Sequence, residues 1–373
     1  MKIKTGFIAF IIVAFLFHGY SQVQQPEIKS LIQEGVALHD QGEYEHAIEK
    51  YRDALKLQPN CPQATYEIAL SYLAMKDFEK ASEFSTAVIN TNDKQLSPGA
   101  YAVKSEALVE MGHLDEALAL LHEGLGKFGD EYLLHFNMAV NYYKKDDMDK
   151  TLEHVKKAID LDKSHSGAFL LYAYALNNKG LWVQSILSMQ MFLLLEPDSN
   201  RSKNAYEEML QTMRIKKTGP PVERSFIQQQ MMRNSGITLL HPEEIPPLSI
   251  QDGLNRNLVY HAITVTLDSI QSTPAAENEF VQFKAVNRAI MKVLQKESLK
   301  NGKQGIFWTF YVPFFSHIEQ SSFYDTFCRY ISVSYYPESL KKETISETDI
   351  KLIRYLCVAV RIYGNDRRGN ITG

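Results

Sequence analysis

Two small groups of residues carry side chains that could do chemistry, and neither has the spacing of a known reaction centre. Cys328 with His317 offers a thiol nucleophile and a base, but no supporting motif surrounds them. His241 precedes Glu243 and Glu244 in a proline-rich stretch, which is a weak pattern for a metal site. The sequence contains no HExxH, GxSxG, P-loop or SxxK motif. We therefore predict a non-catalytic protein with no catalytic residues, no metal and no cofactor.

A band of aromatic residues at 307–336 is the other candidate, since it holds twelve aromatic side chains in thirty positions. The helical spacing of Tyr311, Phe314 and Phe315 predicts that most of these rings form a core. Stacking on carbohydrate, such as cell-wall material, is an alternative function for the band. An enzyme with an active site of unrecognised type in the C-terminal region is a second alternative.

Composition sets limits on the class of protein. The chain has 373 residues, of which 45% are hydrophobic, and this apolar content excludes a disordered chain. The formal net charge is -4, without the basic excess that nucleic-acid binding requires, so we predict no nucleic-acid partner. Cys61, Cys328 and Cys357 show no metal-ligand spacing. They are interpreted as small buried residues, with a disulfide between Cys328 and Cys357 as the alternative.

The first 21 residues have the pattern of a secretory signal peptide. Two lysines precede an unbroken apolar run at residues 7–17, and small residues follow at positions 19 and 21. The tripeptide Tyr20-Ser21-Gln22 resembles export signals of Bacteroidetes. We therefore predict cleavage after Ser21, a periplasmic or secreted protein, and no membrane span afterwards. An uncleaved N-terminal anchor is the alternative.

A repeat occupies the middle of the chain. Small residues recur at intervals of 34, 36, 34 and 34 positions, at Ala47, Ala81, Ala117, Thr151 and Ser185. The five resulting units are 28–61, 62–95, 98–131, 132–165 and 166–199. In the first unit the pattern residues are Gly35, Leu38, Gly42, Ala47, Tyr51, Ala54 and Pro59. This pattern resembles the tetratricopeptide repeat (TPR), which is a pair of short helices.

The resemblance implies an all-α fold, a TPR α-solenoid of about five helix-turn-helix repeats. Small residues at fixed positions would let neighbouring helices pack closely, and prolines would end the helices. These residues are Gly35, Ala47, Ala54, Pro59, Ala69, Ala81, Ala117, Ala139, Ala173 and Pro197. Residues 200–217 would form a capping helix. The predicted domains are thus a signal peptide at 1–21, the solenoid with its cap at 28–217, a linker at 218–250, a mostly helical aromatic-rich domain at 251–363, and a polar tail at 364–373.

The resemblance also places a partner groove on the first helix of each unit. The groove residues would be Tyr66, Leu70, Leu73, Phe136, Asn137, Val140, Tyr143, Leu170 and Tyr174. Packing against neighbouring helices or the C-terminal domain explains these residues equally well. The clamp that some TPR proteins use for a C-terminal carboxylate is absent, because its positions hold Ile32, Val36, Glu67, Gly99 and Val103. We predict an exported TPR scaffold that binds a protein or peptide partner in the cell envelope.

Overall fold

The computed structural model describes residues 26–216, 253–300 and 305–336, and every regular element in these residues is a helix. The first ten helices are α1 (26–40), α2 (Tyr44–Leu57), α3 (Pro62–Ala74), α4 (Phe78–Asn90), α5 (Ser97–Glu110), α6 (Leu114–Phe128), α7 (Tyr132–Lys144), α8 (Met148–Leu161), α9 (Ser166–Asn178) and α10 (Trp182–Leu195). They are followed by α11 (Asn200–Thr212), α12 (Arg256–Ile270), a 3₁₀ turn (Pro274–Glu277), α13 (Glu279–Ser298), a π-helical turn (Phe307–Tyr311), α14 (Val312–Gln320) and α15 (Tyr324–Ile331). The prediction of an all-α fold built from helix pairs is confirmed.

The five turns inside the helix pairs share one backbone conformation. A residue with positive φ lies at the same place in each pair: Gly42, Lys76, Gly112, Asp146 and Gly180. In each turn the next residue donates its N–H to a carbonyl five positions earlier, as from Glu43 to Leu38 at 2.9 Å. This Schellman arrangement satisfies carbonyls that the helix end leaves unpaired. The repeat phase read from the sequence is therefore present in the backbone.

The chain forms two compact units, unit 1 (Met1–Asn141) and unit 2 (Tyr142–Gly373). In unit 1, consecutive helices from α2 to α6 pack against each other, and α3 also packs against α5. Most of the predicted small packing residues are buried, namely Gly35, Ala47, Ala54, Ala69, Ala81, Ala117, Ala139 and, in unit 2, Ala173. Pro59 is exposed and Pro197 is half-buried, and each follows the end of a helix.

Glycine at position 35 lets a tyrosine ring pack directly on the backbone of α1. A Cβ atom added to Gly35 would lie 2.3 Å from Cε1 of Tyr51, whose side chain is fully buried. No side chain larger than hydrogen fits this place without moving the ring. The ring of Tyr51 is therefore held in one position between α1 and its neighbours.

In unit 2, α10 is buried along nearly its whole length, because every residue from Trp182 to Leu194 is buried. Its sequence contains no charged residue, and a helix that is apolar on all sides must be covered on all sides. Helices α9, α11, α12 and α15 all pack against it. The side chain of Gln190 donates a 2.9 Å hydrogen bond to that of Asn287 on α13, and both are buried.

The helices after residue 252 are thus part of unit 2. The ring of Tyr172 on α9 stacks on Phe307, with centroids 6.0 Å apart. The Arg256 guanidinium donates a 3.0 Å hydrogen bond to the carbonyl of Gly180. On α11, Tyr206 contacts the rings of Phe283, Tyr335 and Tyr336. Tyr206 and Leu210 are buried beside Ala205 and Met209, so α11 has one wide buried face.

Half of the rings in the aromatic band lie in the core. Six of its rings are buried: Phe307, Trp308, Tyr311, Phe315, Tyr324 and Phe327. Pro313 is the second residue of α14, where its missing N–H breaks no intrahelical bond, and the π-helical turn runs directly into this helix. The predicted signal peptide, linker and polar tail lie outside the described residues, so the predicted domain boundaries stay predictions.

Replacing Gly35 with alanine tests the contact with Tyr51. Overpacking against the buried ring is expected to lower the free energy of unfolding by about 1–3 kcal/mol, measured by urea denaturation. Gly126 is the matched control, since it lies in α6 and a Cβ there would have nothing within 4 Å. Gly126→Ala is expected to be neutral or to stabilise by up to about 1 kcal/mol, because alanine favours helix. Equal effects of the two substitutions would contradict the packing described.

Candidate functional site

The face of α3 in unit 1 combines exposure with apolar character. Tyr66, Leu70 and Leu73, three of the predicted groove residues, are each half-buried on this helix. Gly99 on α5 makes room for Tyr66, because a Cβ at position 99 would lie 2.5 Å from the tyrosine hydroxyl oxygen. The ring of Tyr66 therefore lies against the backbone of the first helix of the following pair, and part of it stays accessible.

Three further predicted groove residues lie on α7, within unit 1. Phe136, Asn137 and Val140 are half-buried, and the Phe136 ring stacks on Tyr132 with centroids 5.9 Å apart. The side-chain amide of Asn137 donates a 2.9 Å hydrogen bond to the carbonyl of Leu133, one turn earlier in its own helix. Before its side-chain nitrogen could bind a peptide backbone, Asn137 would have to break this hydrogen bond or share it between two acceptors.

The predicted groove residues of unit 2 differ in exposure. Tyr143 and Leu170 are buried, whereas Tyr174 is half-buried. The Tyr143 hydroxyl accepts a 2.8 Å hydrogen bond from the amide of Asn178, and burial raises the pKa of Tyr143 to about 12. Its partner role stays a prediction, and its observed contacts are internal.

Glu67 is a functional candidate that the sequence analysis named only as a departure from the carboxylate clamp. It follows Tyr66 on α3 and is half-buried. Burial raises the pKa of this carboxyl, and the nearby Asp40 carboxylate raises it further. No residue in the described part of the chain forms an ion pair with Glu67 or Asp40. Withdrawing a carboxylate from water without a neighbouring cation costs free energy of folding, and groups of this kind often lie at functional sites.

The hydroxyl of Tyr51 on α2 is a second polar group of unit 1 that packing withdraws from water. It is fully buried, and no described residue gives it a hydrogen bond. Burial raises the pKa of Tyr51, and the charges of Glu67 and Asp40 add to this effect. A buried hydroxyl without a partner costs about 1–3 kcal/mol. The sequence could not reveal this group, since Tyr51 fits the packing position of the repeat pattern.

A polar contact ties the end of α1 to α3 beside these groups. His39 Nδ1 and Ser71 Oγ lie 2.9 Å apart and share a hydrogen bond. The His39 ring also packs edge-on against Tyr44, with centroids 5.0 Å apart. These contacts fix the position of the neighbouring Asp40 at the end of α1.

The residues considered for catalysis are not arranged for it. Cys328 is fully buried, and burial raises the pKa of its thiol to about 12, so the thiol stays protonated at neutral pH. His317 is exposed. His241, Glu243 and Glu244 lie outside the described residues, as does Cys357. Among described side chains, no group of three or more His, Cys, Asp and Glu residues is placed to hold a metal ion.

No helix in the described ranges has both the length and the apolar character that crossing a bilayer requires.

Comparison with known proteins identifies one segment. Residues 35–76 match the family of TPR repeats, and no curated protein matches the chain. The structure of TTC0263, a thermophilic TPR protein in Thermus thermophilus, is 21% identical and covers 50% of this chain and 98% of its own, with a TM-score of 0.43. That of pilF from Pseudomonas aeruginosa is 16% identical and covers 58% and 95%, with a TM-score of 0.44. YrrB, described as a TPR protein with an unusual peptide-binding site, is 16% identical and covers 48% and 90%, with a TM-score of 0.34.

Glu67→Gln tests the electrostatic cost of the acidic site. The raised pKa of Glu67 means that the folded protein favours the protonated carboxyl. The stability that this proton contributes is present below the pKa of the unfolded chain, about 4.5, and is lost as the pH rises through the pKa of the folded protein. We therefore expect the variant to gain stability relative to the parent protein between about pH 4.5 and pH 7, measured by urea unfolding. Glu49→Gln, at an exposed position of α2, should show no such gain. A Glu67→Gln variant that is less stable throughout this range would contradict the assignment.

Proposed function

Since the chain contains a tetratricopeptide-repeat segment, we propose that it is an exported, non-catalytic scaffold that binds a protein or peptide partner in the cell envelope. Repeats of this kind present extended binding surfaces made by successive helices. The observation that carries the proposal is the half-buried aromatic and apolar face of α3, formed by Tyr66, Leu70 and Leu73.

The proposed binding surface is the face of unit 1 that α1, α3 and α5 share. Tyr66 contributes a ring held against Gly99, and Leu70 follows one turn later on the same side of α3. Gln63, one turn before Tyr66, is exposed and could form polar contacts with a bound backbone. Apolar side chains that stay partly accessible and are rimmed by polar ones are typical of protein-interaction surfaces.

The non-catalytic part of the proposal is supported by the chemistry of the candidate nucleophile. A thiol with a pKa of about 12 supplies almost no thiolate at neutral pH, and thiolate is the reactive form. The carbohydrate alternative has less support, because half of the rings in the aromatic band are buried and cannot stack on a sugar.

The export part of the proposal is supported by the sequence alone. The first residues carry two lysines, then eleven apolar residues, then small residues before the proposed cleavage point at Ser21. An apolar run of this length spans about 16 Å as a helix, well short of the bilayer core of about 30 Å. A cleavable leader accounts for this pattern better than a membrane span does.

Site-specific photocrosslinking in the producing cells tests the binding surface. A photoreactive amino acid at Gln63 is expected to give a discrete crosslinked adduct with a partner, because this side chain is exposed beside Tyr66. The control places the same amino acid at Glu49, which is exposed on α2, the second helix of the first pair. No adduct from position 63, or the same adducts from both positions, would contradict the proposed surface.

The mature N-terminus tests export. If residues 1–21 are a cleaved signal peptide, the protein isolated from its producing cells begins at Gln22, as measured by intact mass and N-terminal sequencing. Substituting Ser21 with a bulky residue such as tryptophan should leave the precursor uncut, since signal cleavage requires a small residue there. An unprocessed chain that starts at Met1 in the cytoplasm would overturn the assignment.

A further inference from the structure

One side of α12 is apolar and is left uncovered by the described residues. Leu258 is 39% exposed, Val265 is 51% exposed, and Ala262 between them is half-buried. Intervals of four and three residues place these side chains, here called the α12 stripe, on one side of the helix over about 10 Å of its length. Val259 and Ile263 lie on the adjoining side and are buried in the core. The apolar surface of α12 is therefore wider than the part that its described neighbours cover.

The last described residue lies beside the C-terminal end of α12. This residue, Tyr336, donates a 2.7 Å hydrogen bond from its hydroxyl to the Glu279 carboxylate at the start of α13. The Tyr336 ring packs edge-on against Phe280, with centroids 6.0 Å apart. The 3₁₀ turn (Pro274–Glu277) that joins α12 to α13 packs against both helices. Residues 337–373 therefore begin near the point where α12 ends.

The sequence that follows contains one long apolar segment, residues 350–361, which lies outside the described residues. Apolar residues recur in it at intervals of three, four and three positions, which predicts an amphipathic helix. These residues are Ile350, Ile353, Cys357 and Val360. The connecting residues 337–349 can span about 40 Å, whereas α12 has 15 residues and is about 22 Å long. The segment can therefore reach every turn of α12.

Charge complementarity favours the same contact. Residues 350–361 contain three lysines and arginines and no aspartate or glutamate, a net charge of +3. Asp268 in the last turn of α12 and Glu277 in the 3₁₀ turn are exposed, and neither forms an ion pair with a described residue. The helix dipole also disfavours a carboxylate at the C-terminal end of a helix. A basic segment that packs along α12 would bring positive charge to both carboxylates.

The position of Tyr336 favours the α12 stripe over the other exposed apolar side chains of these helices. Leu299 and Ile306 follow the C-terminal end of α13, a 20-residue helix of about 30 Å, whereas Tyr336 contacts its first turn. Phe323 is a single exposed ring in the turn before α15 and offers no stripe along a helix. Val265 lies within two turns of the end of α12 and is thus close to the point where residue 337 begins.

We propose that residues 350–361 form a helix whose apolar side packs on the α12 stripe. The stripe then belongs to the core of unit 2, and its occupant is this C-terminal segment of the chain rather than a partner protein. The inference is independent of the proposed scaffold function, because the proposed binding surface lies on unit 1.

Disulfide formation by Cys357 tests the proposal on the full chain. Two single variants, Leu258→Cys and Val265→Cys, each place a thiol on the α12 stripe, where the oxidant diamide joins it to Cys357 if the two residues are neighbours. We expect one variant to form this disulfide at least about tenfold faster than Ile306→Cys, measured by mass spectrometry of proteolytic peptides. Ile306 is the matched control, since it is apolar and 38% exposed, close to the 39% of Leu258.

The origin of the disulfide decides which molecule occupies the stripe. Cys61 and Cys328 are buried, so their thiols do not compete in the folded protein. A mixture of unlabelled and isotope-labelled protein shows whether the disulfide joins residues of one chain or of two. A disulfide between two chains would assign the stripe to a second copy and overturn the proposal. The proposal also fails if neither α12 variant reacts faster than Ile306→Cys.

Labelling of Cys357 by a maleimide reagent gives a second test that leaves α12 unchanged. In the folded parent protein Cys357 is expected to react at least about tenfold more slowly than in urea, because packing shields its thiol. Ile353→Asp puts a carboxylate on the apolar side of the segment and should remove this protection. Thr348→Asp adds the same charge before the segment and should preserve it. Equal labelling rates in the folded and the unfolded parent protein would contradict the packing proposed.

Discussion

The structure depends on one constraint: a pair of short helices cannot bury its own apolar face, so another pair must cover it. Neighbouring helices must then approach each other closely, and small residues permit this. Tyr51 packs on Gly35 because no Cβ intervenes, and Tyr66 packs on Gly99 for the same reason. The first contact holds α2 against α1, and the second joins α3 to α5. Tyr66 is half-buried and belongs to the proposed binding surface, whereas Tyr51 is fully buried and belongs to the core of unit 1. The packing that makes the repeat therefore also positions Tyr66.

In unit 2 the same constraint explains why the C-terminal helices are present. Helix α10 has no charged residue and would expose a large apolar surface if it ended the repeat array. Helices α12 and α15 pack on it, and Gln190 bonds to Asn287 in the covered region. A helix with a charged outer face would be enough to end the array, but Tyr206 widens the buried face of α11 and contacts Phe283. Half of the rings in the aromatic band therefore help to complete a core.

The helix pairs could be predicted from the sequence because their signal is repeated. Glycines at three of the five turns mark the left-handed residue, whereas Lys76 and Asp146 carry no such mark. Their conformation follows from the hydrogen bonds of the helix end, such as that from Asp77 to the carbonyl of Tyr72, rather than from residue type. Likewise, the docking of the C-terminal helices joins residues about a hundred positions apart, and no periodicity within one helix reports such contacts.

The candidate site was predictable only in part. Helical spacing gave Tyr66 and Leu70, because a face of a helix is a local property. The same spacing also gave Tyr143 and Leu170, which are buried, since exposure depends on what other helices cover. Glu67 and Asp40 are ordinary acidic residues in the sequence. Burial and the Asp40 carboxylate raise the pKa of Glu67, and only three-dimensional packing defines that burial.

The central claim is that the face of unit 1 made by α1, α3 and α5 receives a partner segment along α3. A crystal structure of the full chain with the partner segment captured by crosslinking at position 63 tests it most directly. The account predicts peptide density along α3, in contact with the half-buried side chains of Tyr66 and Leu70. Peptide density on another face of unit 1 or on unit 2 would contradict it.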